Sequence, residues 1–309
     1  MTTIPRRPLG RTGFEVSILG YGAFDLRGGD SWSGRPVSDQ EAEGMLNAVL
    51  DAGINIIDTS IDYGCAEDFM GRFIAHRRDE YFLTNKMGCV PGEEGKHEFT
   101  AAIVRQGVEQ SLRRLRTDHI DLVQFHLSLT PAEMKAEGAL EEAFKLRDEG
   151  KVRFIGSSGW LPKILEQFDM DCFEVFQIPY SPLQREHEEI INRAAATGAG
   201  ILLRGGVAKG APDGGWERAL NYMVGPDSMR LRWQEARLDE LLDGMSRTEF
   251  TLRFTLSHPA LTSVLVGTKN PAHLRENVEI ATKGPLPDDI LSEAKRRLDA
   301  IGAGPQSGV

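Results

Sequence analysis

Short apolar runs alternate with longer stretches in which apolar residues recur every three to four positions, and this rhythm persists along the whole chain. The runs are "VSILGYG", "INIIDTS", "YFLTNKMG", "IDLVQFH", "VRFIGSS", "FEVFQIP", "GILLRGG" and "LTSVLVG". Between them, "SDQEAEGMLNAVLDAG" reads as an amphipathic helix with Ser38 as N-cap and Gly53 as its stop. The stretches "TAAIVRQGVEQSLRRLR", "ALEEAFKLRDEG", "REHEEIINRAAATG" and "PAHLRENVEIATKG" have the same period. Several strands are apolar nearly throughout, as a parallel sheet covered by helices requires. Eight such units predict a closed α/β (β/α)8 TIM barrel, with residues 1–309 forming one domain. The competing architecture, an open doubly wound sheet, lacks its glycine signature, because "GYGAFD" has no third glycine.

Three segments depart from a minimal barrel. The turn signal in "RPLGRTGFEVS" predicts a β-hairpin over residues 1–15 that caps the bottom. A long insertion after strand seven, residues 205–244, is expected to be an active-site loop with its own helix. The Gly-rich end, residues 301–309, is expected to be mobile.

Composition narrows the function. With a net charge of -10, and with Arg113, Arg114 and Arg116 interrupted by Asp118, the chain offers no continuous basic patch for nucleic acid. "MTTIPRRPLGRTG" lacks an apolar signal core, and no run approaches the roughly 18 apolar residues of a membrane span, so a cytoplasmic protein without a membrane partner is expected. Three cysteines, Cys65, Cys89 and Cys172, suit a reducing compartment. Oligomeric state is not legible, because a helix-covered barrel can stay single or associate through its outer helices.

Barrel chemistry sits at the C-terminal ends of the strands. Strand two ends in Asp58, strand three in Lys86, strand four in His126, strand five in Ser157 and Ser158, strand six in Gln177, and strand seven in Arg204. Taken singly, each is ordinarily a loop anchor or a satisfied core residue; the barrel, however, brings all of them to one mouth. Asp58 and Lys86 at adjacent strand ends would neutralise each other, with Tyr63 as their neighbour. A cation about 4 Å from a phenol at an effective dielectric near 20 is worth roughly 4 kcal/mol, so Lys86 is expected to lower the pKa of Tyr63 by up to about three units. "GSSGW" lacks the spacing of a serine nucleophile elbow, and the seven histidines contain no H-E-x-x-H pair, so neither a nucleophile nor a metal is expected. A cation, a phenol and an imidazole suit proton donation to a carbonyl, with hydride from a separate source.

At these residues the sequence resembles the aldo-keto reductase superfamily over essentially its whole length. "RPLGRTGFEVSILGYG" is similar to the family's opening, "NIIDTSIDYG" to its D-T-A-x-x-Y-G block, "LTNKMG" to its T-K-x-G and "LVQFH" to its strand-four histidine block. The resemblance implies a catalytic tetrad of Asp58, Tyr63, Lys86 and His126, with Tyr63 as proton donor. It also implies a nicotinamide cofactor across the barrel mouth, NADP(H) preferred and NAD(H) possible. "FQIPYSPLQ" is similar to Q-x-x-Y-S-P-L, which implies that Gln177 holds the carboxamide and Tyr180 stacks beneath the nicotinamide. "VGTKNPAHLRENV" resembles the adenosine-phosphate segment, with Gly267, Thr268 and Lys269 near the 2'-phosphate, His273 where many members carry a second basic residue, and Glu276 and Asn277 near the adenine. A helix starting near Pro271 would add backbone donors. Gly22, Ser157 and Ser158 complete the expected cofactor contacts, and Arg204 faces the pyrophosphate, the substrate or a structural ion pair. Two departures stand out. Gly159 replaces the family's asparagine, a loss of about 0.5–1.5 kcal/mol for one hydrogen bond, and Ala23 replaces a common polar residue.

Trp32, Trp160 and Trp216 fall in loops on the catalytic face, where an aromatic wall would suit a small carbonyl or sugar substrate. The alternative reading is a nucleotide-sensing or scaffold protein of the same fold with little turnover, which Gly159 and Ala23 leave open. A lyase or isomerase would need a base aimed at the substrate carbon and a phosphate or metal site, and neither is visible.

Overall fold

The computed structural model describes residues 4–31, 34–214 and 226–306. Eight parallel strands close into a barrel, β3 (Leu19–Gly22), β4 (Ile56–Asp58), β5 (Phe82–Met87), β6 (Ile120–His126), β7 (Val152–Ser158), β8 (Val175–Pro179), β9 (Gly200–Arg204) and β10 (Ser263–Val266), with β10 pairing β3 to complete the ring. Ahead of it, β1 (Arg6–Pro8) and β2 (Glu15–Ser17) form the expected antiparallel hairpin, which runs two residues beyond the boundary read from sequence.

The helices are α1 (Asp39–Asp51), α2 (Ala66–Phe73), α3 (Ala101–Leu115), α4 (Pro131–Ala136), α5 (Ala139–Asp148), α6 (Glu188–Ala196), α7 (Ala211–Gly214), α8 (Pro226–Glu235), α9 (Arg247–Leu256), α10 (Pro271–Lys283) and α11 (Asp288–Ala300). The start of α1 is a capping box: Ser38 Oγ accepts the Glu41 N–H at 3.3 Å and Glu41 Oε2 accepts the Ser38 N–H at 2.8 Å. Its stop, Gly53, has φ +85°. After β7 the chain forms a 3-10 helix over Lys163–Met170 in place of an α-helix, burying Ile164 and Phe168.

Strand residues alternate between two environments. Ile56, Phe82, Leu122, Val175, Leu202 and Leu265 meet inside the barrel with Leu9 and Val16 of the hairpin region, so an apolar plug fills the bottom. Two residues further along the same strands, the inward positions become Asp58, Thr84, Gln124, Gln177 and Arg204; Lys86 and His126 follow two residues beyond Thr84 and Gln124. Period-two alternation thus stacks a polar layer at the mouth on an apolar layer beneath it.

The insertion after strand seven holds α7 and α8, with residues 215–225 outside the described residues. Its later part is packed rather than loop-like. Trp233 is 1% exposed, meets Phe250 of α9 edge-on at 5.8 Å and donates from Nε1 to Asp239 at 3.0 Å. The chain end also departs from expectation: Ala303 is buried and the Gln306 N–H reaches the Glu186 carbonyl at 3.4 Å, so residues 301–306 dock against the body, while 307–309 lie outside the described residues. Trp32 and Trp216 also lie outside them. Among the described residues no helix is long and apolar enough to cross a membrane.

Candidate active site

Asp58 Oδ1 is the hub of the mouth. Lys86 Nζ and Thr84 Oγ1 donate to it, joined by Gln177 Nε2 at 3.1 Å and Gln124 Nε2 at 3.3 Å. Lys86 Nζ also donates to the Thr59 carbonyl at 3.3 Å. Both ions of the pair are buried, Asp58 5% and Lys86 3% exposed. Burial lowers the pKa of Lys86, and the contact with Asp58 opposes that shift.

Tyr63 is delivered by the loop between β4 and α2. Its N–H bonds the Ser60 carbonyl at 3.0 Å, its carbonyl accepts the Ala66 N–H at 2.8 Å, and the Cys65 N–H anchors the turn to the Arg27 carbonyl at 3.0 Å. Gly64 makes this crossing possible: at φ +43° a Cβ there would lie 2.1 Å from the Arg27 carbonyl oxygen. The phenol ring meets Phe24 edge-on at 5.0 Å and His126 at 6.3 Å.

The expected lowering of the Tyr63 pKa is not what the structure gives. Burial, and then the negative charge of Asp58, push the phenol well above 10. Burial outweighs any nearby cation, and Lys86 is itself paired with Asp58, whose charge raises the phenol further. His126 is held well below the usual imidazole range by burial first, then by Lys86, His97 and Arg204, so its ring is neutral at pH 7.

Arg204 ends β9 with its guanidinium carbon 5.7 Å from the Trp160 ring centroid. Its positive charge lowers the pKa values of Tyr63, Lys86 and His126, which puts it on the side of the tetrad. Its charge also acts on His187, a fully buried residue whose Nε2 accepts the Leu161 N–H at 3.2 Å. Burial and Arg204 bring the pKa of His187 down to about 3. Between about 6.5 and that value the unfolded chain holds the extra proton, so stability falls as pH falls through this window. We expect His187→Gln, which keeps an acceptor for Leu161, to flatten the loss of unfolding free energy between pH 6 and 4 by up to about 1.4 kcal/mol per pH unit, read by urea denaturation. An unchanged slope would contradict this.

The expected cofactor residues divide into two groups. Ser158 Oγ donates to Gln177 Oε1 at 2.8 Å, so both lie in the polar layer beside Asp58. Gly22, Gly267, Thr268 and Lys269 gather where β3 meets β10, with His273 and Glu276 exposed and Asn277 buried on α10. The two strand ends touch there: a Cβ on Gly267 would lie 2.9 Å from the Gly22 carbonyl oxygen. Lys269 Nζ donates to the Pro36 carbonyl at 2.8 Å, and Asn270 caps α10 by accepting the Ala272 N–H at 2.9 Å.

Two residues are placed elsewhere. Ser157 precedes Ser158, and alternation turns it outward, where its hydroxyl is buried without a hydrogen-bond partner. Tyr180 is 1% exposed, its ring edge-on to His258 at 5.0 Å and tilted against Phe254 at 6.1 Å, so it offers no face for a nicotinamide to stack on.

The model for the Aldo/keto reductase family matches residues 18–298. The chain belongs to that family. Aldo-keto reductase AKR11C1 from Bacillus halodurans in its holo form has the same fold, with a TM-score of 0.80 and 26% identity over 95% of this chain and 96% of that one. Aldo-keto reductase YhdN of Bacillus subtilis (strain 168) is 30% identical over 87% of this chain and 86% of its own, and L-galactose dehydrogenase of Arabidopsis thaliana is 26% identical over 97% and 96%. This aldo-keto reductase is therefore an oxidoreductase of a family that reduces carbonyls with nicotinamide cofactors.

Several residues of this aldo-keto reductase site escaped the reading of strand ends. Thr84 and Gln124 sit two residues before Lys86 and His126, and the same inward parity would have found them. Asp62, Cys89 and His97 also converge on His126, from loops whose mutual approach no spacing reveals. At Gly159, a Cβ would press on Ser128 Oγ at 3.2 Å and Ile164 at 3.3 Å, so local packing favours the glycine that replaces the family's asparagine.

Proposed function

We propose that this enzyme reduces small aldehydes, ketones or sugar carbonyls with NADP(H), and oxidises the corresponding alcohols in reverse, with Tyr63 as the proton donor. The observation that carries the reading is the buried Asp58–Lys86 pair beside Tyr63 and the neutral ring of His126, all at the barrel mouth. The β3–β10 edge fits a dinucleotide phosphate: the Lys269 ammonium and the positive end of the α10 dipole meet there, with the exposed His273 beside them. Reduced nicotinamide bound across the mouth supplies hydride. Tyr63 holds its proton until negative charge develops on the carbonyl oxygen and then gives it up, because an alkoxide is far more basic than a phenolate. The positive charge of Arg204 favours the phenolate left behind, Lys86 holds the Asp58 carboxylate beside it in a pair, and the neutral His126 orients the carbonyl by hydrogen bonding. Arg204 and Trp160 line the substrate side, and polar, hydroxylated substrates suit them.

Cofactor choice is tested by titrating the protein with NADPH and with NADH and following tryptophan fluorescence. Lys269→Ala is expected to weaken NADPH binding about tenfold, roughly 1.4 kcal/mol, with little effect on NADH. Equal losses for both would remove Lys269 from the 2'-phosphate, and no binding of either by the wild type would overturn the reading.

A further inference from the structure

The loop after β5 folds back on itself. The Val90 N–H bonds the Lys96 carbonyl at 2.9 Å, the Glu98 N–H bonds the Gly88 carbonyl at 2.8 Å, and Cys89 and His97 face each other in an antiparallel bridge. A thiol and an imidazole eight residues apart are thereby brought to the same nitrogen of His126: Cys89 Sγ and His97 Nε2 each lie 3.1 Å from His126 Nδ1. Asp62, from the loop after β4, places Oδ2 3.8 Å from His97 Nε2. All four atoms lie within 4.8 Å of one another.

We propose that Asp62, Cys89, His97 and His126 form a tetrahedral site for a zinc-class divalent cation at the edge of the barrel mouth. One sulfur, two imidazole nitrogens and one carboxylate oxygen are the donor set that zinc favours. Tetrahedral bonds of about 2.0–2.3 Å space the ligand atoms roughly 3.3–3.6 Å apart, so shifts on the order of 1 Å complete the shell.

The supporting contacts of a metal site are present as well. His97 Nδ1 lies 3.2 Å from the Gly95 carbonyl, which can only accept, so the ring donates there and keeps the Nε2 lone pair facing the cluster. The Gly95 N–H in turn holds Asp62 Oδ1 at 2.8 Å, turning Oδ2 toward His97, and Ser60 Oγ lies 3.5 Å from Cys89 Sγ. Cys89 is 1% exposed, whereas the side chains of His97 and Asp62 are 13% and 11% exposed, leaving an approach on their side. On binding, the Cys89 thiol gives its proton to solvent and its sulfur bonds the ion. Coordination through Nδ1 leaves the ring hydrogen of His126 on Nε2, a donor form compatible with the reductase reading above, although the test below does not depend on turnover.

The test is titration of chelator-treated protein with cobalt(II), followed by displacement with zinc. The expected result is one equivalent bound, with the intense visible bands of tetrahedral cobalt and a near-ultraviolet thiolate-to-cobalt band. Cys89→Ser is expected to abolish the thiolate band, and His97→Ala and Asp62→Asn to weaken binding at least tenfold, with folding checked by circular dichroism. In a Cys65→Ser, Cys172→Ser double variant the band should persist, so the proposal remains testable even if Cys89→Ser does not fold. A weak octahedral spectrum without the thiolate band, or a band that survives in Cys89→Ser or disappears in the double variant, would overturn the site.

Discussion

Tyr63→Phe is expected to lower the rate of NADPH-dependent carbonyl reduction about 10²- to 10⁴-fold, the usual contribution of a positioned general acid, or roughly 3–5 kcal/mol of barrier. The ring would remain against Phe24 and His126, where it packs at 5.0 and 6.3 Å, so the fold and the β3–β10 edge proposed for the cofactor are expected to be unchanged. NADPH affinity should therefore stay within a factor of two or so of wild type, since no transition-state interaction enters binding of the nucleotide. Stopped-flow single turnovers together with a fluorescence titration separate the two effects. Similar single-turnover rates in the two proteins would remove Tyr63 from the chemistry. The raised pKa adds a second expectation: ultraviolet titration should detect no tyrosinate from Tyr63 below about pH 10.

Lys86→Met has the largest expected effect on stability. It leaves Asp58 buried at 5% exposure without its cation, and breaking a buried pair in this way costs about 3–5 kcal/mol. Thr84, Gln124 and Gln177 would still donate to Asp58, so the lower end of that range is expected. The double variant Asp58→Asn, Lys86→Met removes both charges and should recover most of the loss, while carbonyl reduction stays low in both proteins. Urea denaturation of the four proteins of this cycle gives the coupling directly. If Lys86→Met alone cost under about 1 kcal/mol, the charge-pair account of the mouth would fail.

The barrel was legible because parallel strands covered on their outer face are written as apolar runs, and all eight could be read. Helices with a broad apolar stripe and a cap, such as α1 with Ser38 and Glu41, were equally plain. The short α2 was not: it spans eight residues and its buried set includes Glu67, whose Oε1 accepts from Asn85 Nδ2 at 2.8 Å, so polarity there does not mean exposure. The segment after β7 was hidden for another reason, since a 3-10 helix lacks the 3.6-residue period.

Within the site, strand ends led to Asp58, Lys86, His126, Gln177 and Arg204, and parity separates Ser158 from Ser157. Reading strand ends without parity therefore admitted one residue too many, Ser157, and passed over Thr84 and Gln124. Tyr180 could not be resolved by pattern, because its burial against His258 and Phe254 depends on α9 and the segment that follows it, far along the chain. The direction of the Tyr63 shift was lost for a similar reason: burial, which raises a phenol most, is set by the folded chain, and the Lys86 charge that would lower it is in contact with Asp58.

The measurement that tests the central claim most directly is transfer of deuteride from NADPH carrying deuterium at both C4 positions of the nicotinamide to a small aldehyde in a single turnover, with the product analysed by mass spectrometry. The account predicts an alcohol carrying one deuterium on its carbinol carbon, formed by the wild type and nearly absent with Tyr63→Phe at equal cofactor occupancy. Unlabelled alcohol, or no alcohol from a wild-type protein saturated with cofactor across a panel of aldehydes, ketones and sugars, would contradict it.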